Sequence, residues 1–443
     1  MYKLSKYNYI VECGKKNVYF NGITGHTFSL SQVEHEKILN LFNDLISFRI
    51  QYTTVFDRFK EWGFIVNEYT DELDIIRYRN KQTVFLNRFY RLAISPTEEC
   101  IFDCWYCAQH KKNSGRMSSD MINRVKNHIE IMVNDEKITS FHLDWFGGEP
   151  LMYFNEVIYP IAIKAAESVN ENTLPFTHHL RTNGYLINSN IVRQLDEIKL
   201  NSFQITIDGD EKRHNAIRNI NGKPTFKRIM DNIALLCENI EDVKILLRIN
   251  YDKKTLNVED LYVLIEEFPE QYKKNILIDY RHTSQSRYTI SEPIKTDKNL
   301  YVFSKLTDSK GFISSHASSF SCGKSVSCYS DRFYNTVINY TGKIHKCTLH
   351  LEREAGVLNE DGTISWHQEA MQKLYAKATF ENEKCLECKH LPICLGACSQ
   401  KLYDQPLEYP CVLKNMEITP EQFVIDVYNK KMESIRNSKT AKY

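Results

Sequence analysis

The sequence predicts an α/β protein built on a partial (β/α)6 TIM-like barrel, and three observations predict it. From Asn87 onward strand-like and helix-like segments alternate about six times, as in a parallel sheet with crossover helices. About 195 residues carry this alternation, short of the ~250 that a closed eight-unit barrel takes. The flanking segments break the pattern: those before it mix short strands with helices, and those after it are rich in cysteine.

Residues 1–85 read as a winged-helix-like module. Tyr7–Val11 and Val18–Phe20 are strand-like, with a turn at Gly14. Ser29 and Ser31 precede Gln32–Phe48, whose apolar residues have helical spacing and whose start has a serine N-cap. Val55–Trp62 is a second helix, ended by Gly63 before the strand-like Phe64–Val66, and the mixed charges of Glu68–Lys81 read as a linker. The barrel spans 86–283, with strands at Phe89–Ile94, Phe141–Trp145, Thr177–Arg181, Phe203–Ile207, Val243–Ile249 and Ile276–Tyr280. Helices are expected between them at Ser118–Val133, Glu156–Asn170, Asn190–Glu197, Phe226–Glu238 and Val258–Phe268. Polar residues 284–318 read as a bridge, 319–412 as a cysteine-rich domain, and 413–443 as a final helix and tail.

With 42% hydrophobic and 26% charged residues the chain has the composition of a folded globular protein and not of a disordered or fibrous one. Its 57 basic and 56 acidic residues leave a net charge of +1, which gives no footprint of a nucleic-acid or membrane-surface binder. No apolar run reaches the ~18–20 residues of a membrane span, and Met1–Ile10 lacks a signal-peptide core. A reducing cytoplasm is the expected location.

Thirteen cysteines in that compartment point to metal or catalysis, since disulfides are rare there and an odd count cannot pair fully. Cys100, Cys104 and Cys107 form a C-x3-C-x2-C run directly after the first barrel strand. Three thiolates on one loop can hold three irons of a [4Fe–4S] cluster and leave the fourth iron open. A zinc site completed by His110 is the competing reading. Cys322, Cys328 and Cys347 lead to Cys385, Cys388, Cys394 and Cys398, a C-x2-C-x5-C-x3-C run, and then to Cys411. Eight thiolates suffice for two complete four-thiolate sites, and the compact run alone also suits a zinc ribbon. Cys13 and Cys237 stand apart as structural bystanders.

Loops after the next three strands carry Phe146-Gly147-Gly148-Glu149-Pro150, Thr182-Asn183-Gly184 and Thr206-Ile207-Asp208-Gly209. The glycines allow close backbone approach to a ligand, and Glu149 offers a carboxylate to an ammonium group. With the cysteine triplet, this ordered set resembles the radical S-adenosylmethionine enzymes. That resemblance implies Cys100, Cys104 and Cys107 as cluster ligands and Gly147, Gly148 and Glu149 as part of the cofactor's amino-group site. Tyr106, Asn183 and Asp208 join them as cofactor-binding candidates. So does Arg218, in an H-x3-R pattern with His214, as a partner for the methionyl carboxylate.

The pattern Cys328-x13-Gly342-x4-Cys347, followed by the compact run and Cys411, resembles the SPASM extension of peptide-modifying radical enzymes. The resemblance implies two auxiliary [4Fe–4S] clusters, one on Cys322, Cys328, Cys347 and Cys398 and one on Cys385, Cys388, Cys394 and Cys411. It implies a maturase that generates a 5′-deoxyadenosyl radical and crosslinks a ribosomally made (RiPP) precursor peptide through a thioether or carbon–carbon bond. Its partners would be a precursor peptide with its leader, which the N-terminal module would bind as an added strand, and an electron donor such as flavodoxin or ferredoxin. Neither nucleic acid nor membrane is expected as a partner.

One position departs from the sulfatase-maturing relatives, the alternative activity. They carry an acidic residue after the third cysteine of the extension, whereas here Thr348 follows Cys347 and is a poor base. His345 and His350 are nearby substitutes, and the sequence names no catalytic base. A zinc-ribbon binding module is the alternative of another class.

Overall fold

The computed structural model describes residues 1–86, 88–107, 115–251, 266, 268–282, 298–315, 323–404, 411, 413 and 418–440. It divides the chain into two units: Met1–Leu86 with Ser318–Tyr329 and Lys377–Tyr443, and Asn87–Ala317 with Ser330–Ala376. The cysteine-rich stretch is thus shared between the units.

In the first unit β1 (Tyr2–Leu4) pairs antiparallel with β5 (Ile65–Asn67), and β2 (Asn8–Cys13), β3 (Lys16–Asn21) and β4 (Thr27–Ser31) form an antiparallel meander. Gly14, with φ +62°, makes the tight β2–β3 turn. The single helix expected over 32–48 is two, Gln32–Asn43 and Leu45–Gln51. Ser31 and Glu34 close a capping box on the first. Asp44 then interrupts it and caps the second, its carboxylate accepting from Ile46 N (3.1 Å) and Ser47 N (3.0 Å). Thr53–Glu61 follows, and Tyr19, Phe48, Phe56, Phe59 and Phe64 fill the core beneath.

The presumed linker is largely helix, Glu72–Phe85, capped by Asp71. Its acidic first turn complements the helix dipole, so charge there marks a helix start and not a solvated spacer. Glu72 is buried and accepts from Ser5 Oγ and Lys6 N. The helix Pro420–Thr440 lies against the meander through Phe423 on Phe20 and Tyr428 on Ser29 (2.8 Å). Tyr7, Ile76, Phe380, Leu391 and Leu395 make a shared core for the N-terminal segment and the compact cysteine run.

The second unit is framed by parallel strands in sequence order: β6 (Phe89–Ile94), β7 (Ser140–Trp145), β8 (Phe176–Thr182), β9 (Ser202–Ile207), β10 (Lys244–Tyr251), β11 (Ile276–His282) and β12 (Ile313–Ser315). β13 (Asn335–Ile338) joins parallel to β6, and β14 (Lys343–His345), β15 (Gly356–Leu358) and β16 (Ile364–Trp366) continue antiparallel. All six predicted strands are present, and the α/β fold with a large, mostly parallel sheet accords with a TIM-like barrel. The predicted bridge contains the helix Lys298–Ser309 and β12, which continue the β/α alternation by a seventh strand. Its polar composition hid a three-residue strand. The helix expected over 258–268 lies mostly outside the described residues. A short helix, Glu211–Ile217, also went unpredicted.

The strands largely follow a two-residue period, with Leu246 and Leu277 as apolar exceptions on the other face. Leu92, Leu143, Leu180, Ile205, Leu247 and Ile278 belong to the apolar core with the helices Ser119–Val133, Tyr159–Glu171 and Phe226–Asn239. The alternate positions hold Arg91, Asp144, Arg181, Gln204, Arg248 and Asp279, so the opposite face is polar. No helix among the described residues is long and apolar enough to cross a membrane.

Candidate active site

Cys100, Cys104 and Cys107 line one cavity of about 360 Å3 in the second unit, with Thr182, Asn183, Thr206 and Asn250 from the C-terminal ends of β8, β9 and β10. Backbone geometry favours sulfur ligation: Phe102 N points at Cys100 Sγ (3.4 Å), and Asn183 Nδ2 lies 4.0 Å from the same atom. Burial first, and Glu149 second, push the Cys100 thiol up to about 12. A cationic cluster offsets such a shift by stabilising thiolate. Three partly buried sulfurs thus lie on one loop, with two N–H groups directed at Cys100.

Gly147 and Gly148 line the cavity, but their lack of side chains serves a different neighbour from the one the sequence implied. A Cβ on Gly148 would sit 1.8 Å from Glu99 O, and one on Gly147 2.4 Å from Thr97 O. Gly148 N donates to Thr97 O (3.0 Å) and Glu149 N to Glu99 O (2.7 Å). The two glycines therefore let this loop lie flat on the segment that leads into the cysteines.

The Glu149 carboxylate, expected from the resemblance to meet an ammonium group, is engaged here with its own loops. It is fully buried and accepts from Thr182 Oγ1 (2.7 Å), Asn183 N (2.7 Å) and Leu151 N (3.0 Å). Burial raises its pKa to about 7. Its geometry is that of a brace between two strand-end loops.

Asp208 is also buried and works through its neighbours. Tyr106 donates its hydroxyl proton to Asp208 (2.6 Å), and Arg218 reaches both Asp208 Oδ2 (3.1 Å) and the Tyr106 oxygen (2.7 Å). Asn250 Nδ2 adds a bond to the same oxygen (3.0 Å). Burial opposes charge on Arg218, but Asp208 and Tyr106 outweigh it, so the guanidinium stays firmly protonated. His214 accepts from Asp208 N at Nδ1 (3.3 Å), which leaves its Nε2–H for Thr225 Oγ1 (3.2 Å). Burial lowers its pKa to about 3, so it is a neutral anchor. Tyr106, Asn183 and Arg218 line the cavity; Glu149 and Asp208 hold them from behind.

Sequence reading missed Arg181, Arg248 and Gln204, which with Thr206 complete the wall. The signal was present in the two-residue period, because a charge at an alternate position of an apolar strand must face a polar interior. Thr348 and Leu349 reach the same cavity. His345 and His350 do not line it; His345 is buried against Arg353 O (3.0 Å), and His350 pairs with Glu352 (2.7 Å).

In the first unit Cys385, Cys388, Cys394 and Cys411 are partly buried. Burial, then the Gly396 carbonyl contact and the neighbouring Cys385, Cys388 and Cys411, act on Cys394, whose thiol is pushed up to about 11. His390 N points at Cys388 Sγ (3.4 Å). Cys328 and Cys398 are partly buried and Cys347 is buried, with Leu349 N 3.4 Å from its sulfur. Cys322 lies outside the described residues.

The cysteine triplet, the glycine loop and polar side chains from the strand ends thus meet at one cavity. Residues 94–267 match the model of the radical SAM superfamily. The chain therefore carries a radical SAM domain, which implies S-adenosylmethionine and a [4Fe–4S] cluster. Over 171 residues, 36% of the chain, it is 28% identical to a curated GTP 3′,8-cyclase of Klebsiella pneumoniae subsp. pneumoniae and covers 46% of that protein, less than half its length. Native anSMEcpe with bound AdoMet superposes with a TM-score of 0.57 at 17% identity, over 79% of this chain and 99% of the other. Streptococcus suis SuiB gives a TM-score of 0.52 at 17% identity, over 95% and 99%. The chain resembles these sulfatase and RiPP maturases in fold.

Proposed function

We propose that the chain is a radical SAM peptide maturase that forms a thioether or carbon–carbon crosslink in a ribosomally made precursor. One observation carries the reading: the cavity with the cysteine triplet is also walled by Thr348 and Leu349, which follow Cys347 of the extension. The fold likeness to anSMEcpe, of which one structure holds AdoMet and the Cp18Cys peptide (TM-score 0.57, 19% identity), supports it.

When bound, cluster and S-adenosylmethionine supply a 5′-deoxyadenosyl radical that takes a hydrogen atom from substrate. Cys100, Cys104 and Cys107 would hold the cluster, and the backbone at Gly147 and Gly148 would border the cofactor. Arg218, kept charged by Asp208, offers a guanidinium to its carboxylate. The buried Phe102 and Phe146 would give the cavity an apolar wall that helps to keep water from the reacting carbon. Thr348 accepts from Arg181 Nη1 (3.2 Å) and is no base, which disfavours formylglycine formation. The same reading gives Cys385, Cys388, Cys394 and Cys411 to one auxiliary [4Fe–4S] cluster. Cys322, Cys328, Cys347 and Cys398 remain with a second on the sequence pattern alone.

Anaerobic reconstitution should give about twelve irons per chain; about four would remove the auxiliary clusters. Incubation with S-adenosylmethionine, dithionite and a short peptide encoded beside this gene should give a product lighter by two hydrogens. An unchanged peptide mass with 5′-deoxyadenosine still released would count against the crosslinking activity.

A further inference from the structure

The inner face of the parallel sheet carries more cation than it neutralises. Asp144, on β7, is fully buried and held by Arg91 of β6 and by Arg181 Nη2 of β8 (2.6 Å). Asp279, on β11, is held by Arg248 of β10 (2.9 Å) and by Arg281 (3.0 Å). Four guanidiniums thus face two carboxylates. Burial lowers the pKa of Arg248; Asp279 opposes this, and the charges of Arg281 and Arg181 add to it, so the two arginines feel one another. The nearby His142 and His179 are pushed down to about 4, by burial first, so they stay neutral and add no further positive charge.

Arg181 and Arg248 both face the cavity with the cysteine triplet. Register puts Gln204 of β9 opposite Arg181, and Thr206 opposite Arg248. Two cationic forks are therefore bridged by two neutral hydrogen-bonding side chains across three adjacent strands. Thr348 accepts from Arg181 and brings no negative charge.

We propose that Arg181 and Arg248, bridged by Gln204 and Thr206, form a carboxylate-binding subsite that recognises an acidic side chain of the substrate peptide next to the reacting carbon. The proposal rests on the peptide reading above. Among the described residues the ion pairs set two carboxylates against these four guanidiniums, and a planar carboxylate matches guanidiniums that buried aspartates already orient. Arg218 lies in a separate network with Tyr106 and Asp208, which leaves this pair for substrate.

The test titrates anaerobically reconstituted protein with N-acetyl-glutamate N-methylamide and with its glutamine counterpart, by ligand-observed NMR, with and without saturating S-adenosylmethionine. Wild type should prefer the glutamate probe by about tenfold, the value of one charge-assisted hydrogen bond of about 1.4 kcal/mol. The preference should persist with S-adenosylmethionine bound and fall to about one in Arg181→Gln and in Arg248→Gln. Circular dichroism checks folding. Should Arg181→Gln unfold, Arg248→Gln carries the test alone, because Arg281 still holds Asp279. Equal binding of the two probes overturns the proposal. So does a preference abolished by S-adenosylmethionine, which would give the pair to the methionyl carboxylate. Tighter binding of inorganic tripolyphosphate, lost in the same variants, would give it to a nucleotide-like substrate and overturn it too. A retained glutamate preference with no peptide ever modified would instead count against the maturase reading alone.

Discussion

The two cysteine regions differ in how they are built. The compact run from Cys385 to Cys398 is local: short helices Glu383–Leu386 and Leu391–Cys394 set its spacing, and Leu395 turns the chain with φ +56°. Its surroundings are an aromatic and aliphatic core with Tyr7, Ile76 and Phe380. The triplet loop is shorter still, yet its cavity is walled by residues from β8, β9 and β10 and by Thr348 and Leu349. A local site closed by its own helices suits a fully ligated cluster. A site assembled from many strands leaves room for cofactor and substrate.

Cys104→Ala tests that contrast hardest. Loss of a ligand of the open site should abolish 5′-deoxyadenosine release, by at least ~100-fold in a liquid-chromatography assay. Retained cleavage would move the chemistry away from the triplet. Cys388→Ala should instead remove about four irons per chain and leave the iron of the triplet site in place, as read by iron analysis and electron paramagnetic resonance. Equal loss of all iron would make the two regions one folding unit.

Smaller effects sharpen the picture of how the triplet loop is supported. Gly148→Ala forces a methyl group onto Glu99 O and should cost roughly 1–3 kcal/mol, read as a lower thermal midpoint. No change would mean that the loop is not packed as described. Glu149 gives a pH signature. Its pKa is raised from 4.5 to about 7 in the fold, so its contribution is fully present below pH 4.5 and is lost as pH rises through 7. Between those values urea stability should shift by about 3 kcal/mol in favour of Glu149→Gln relative to wild type. A parallel pair of curves would refute the brace. Least of all, Asp44→Ala removes a helix cap in the first unit and should cost about 1 kcal/mol in the denaturation midpoint, with cofactor cleavage untouched.

The strands of the barrel were legible because their outward residues must meet helices, which enforces an apolar period of two. The same period put Arg181 and Arg248 on the face opposite the core, but each looks like an isolated charge until the strands are aligned and these charges share one face. The helix Glu72–Phe85 was misread because polar residues at a capped, acidic helix start resemble a linker in composition. The strand Ile313–Ser315 was too short and polar to show.

Sequence alone determined which thiols a short loop offers. Thiol spacing is a local property, and Cys100, Cys104 and Cys107 fall within a loop of eight residues. Sequence also located the glycine loops and Arg218. Tertiary structure decided what those residues do. It buried Glu149 and Asp208 as braces behind the cavity, and it packed the loop of Gly147 and Gly148 onto the segment that leads into the cysteines. It also gathered an arginine-rich wall from strands far apart in the chain. The physical reason is range: spacing fixes which atoms a short loop offers, whereas burial and facing depend on register between strands that no local pattern records.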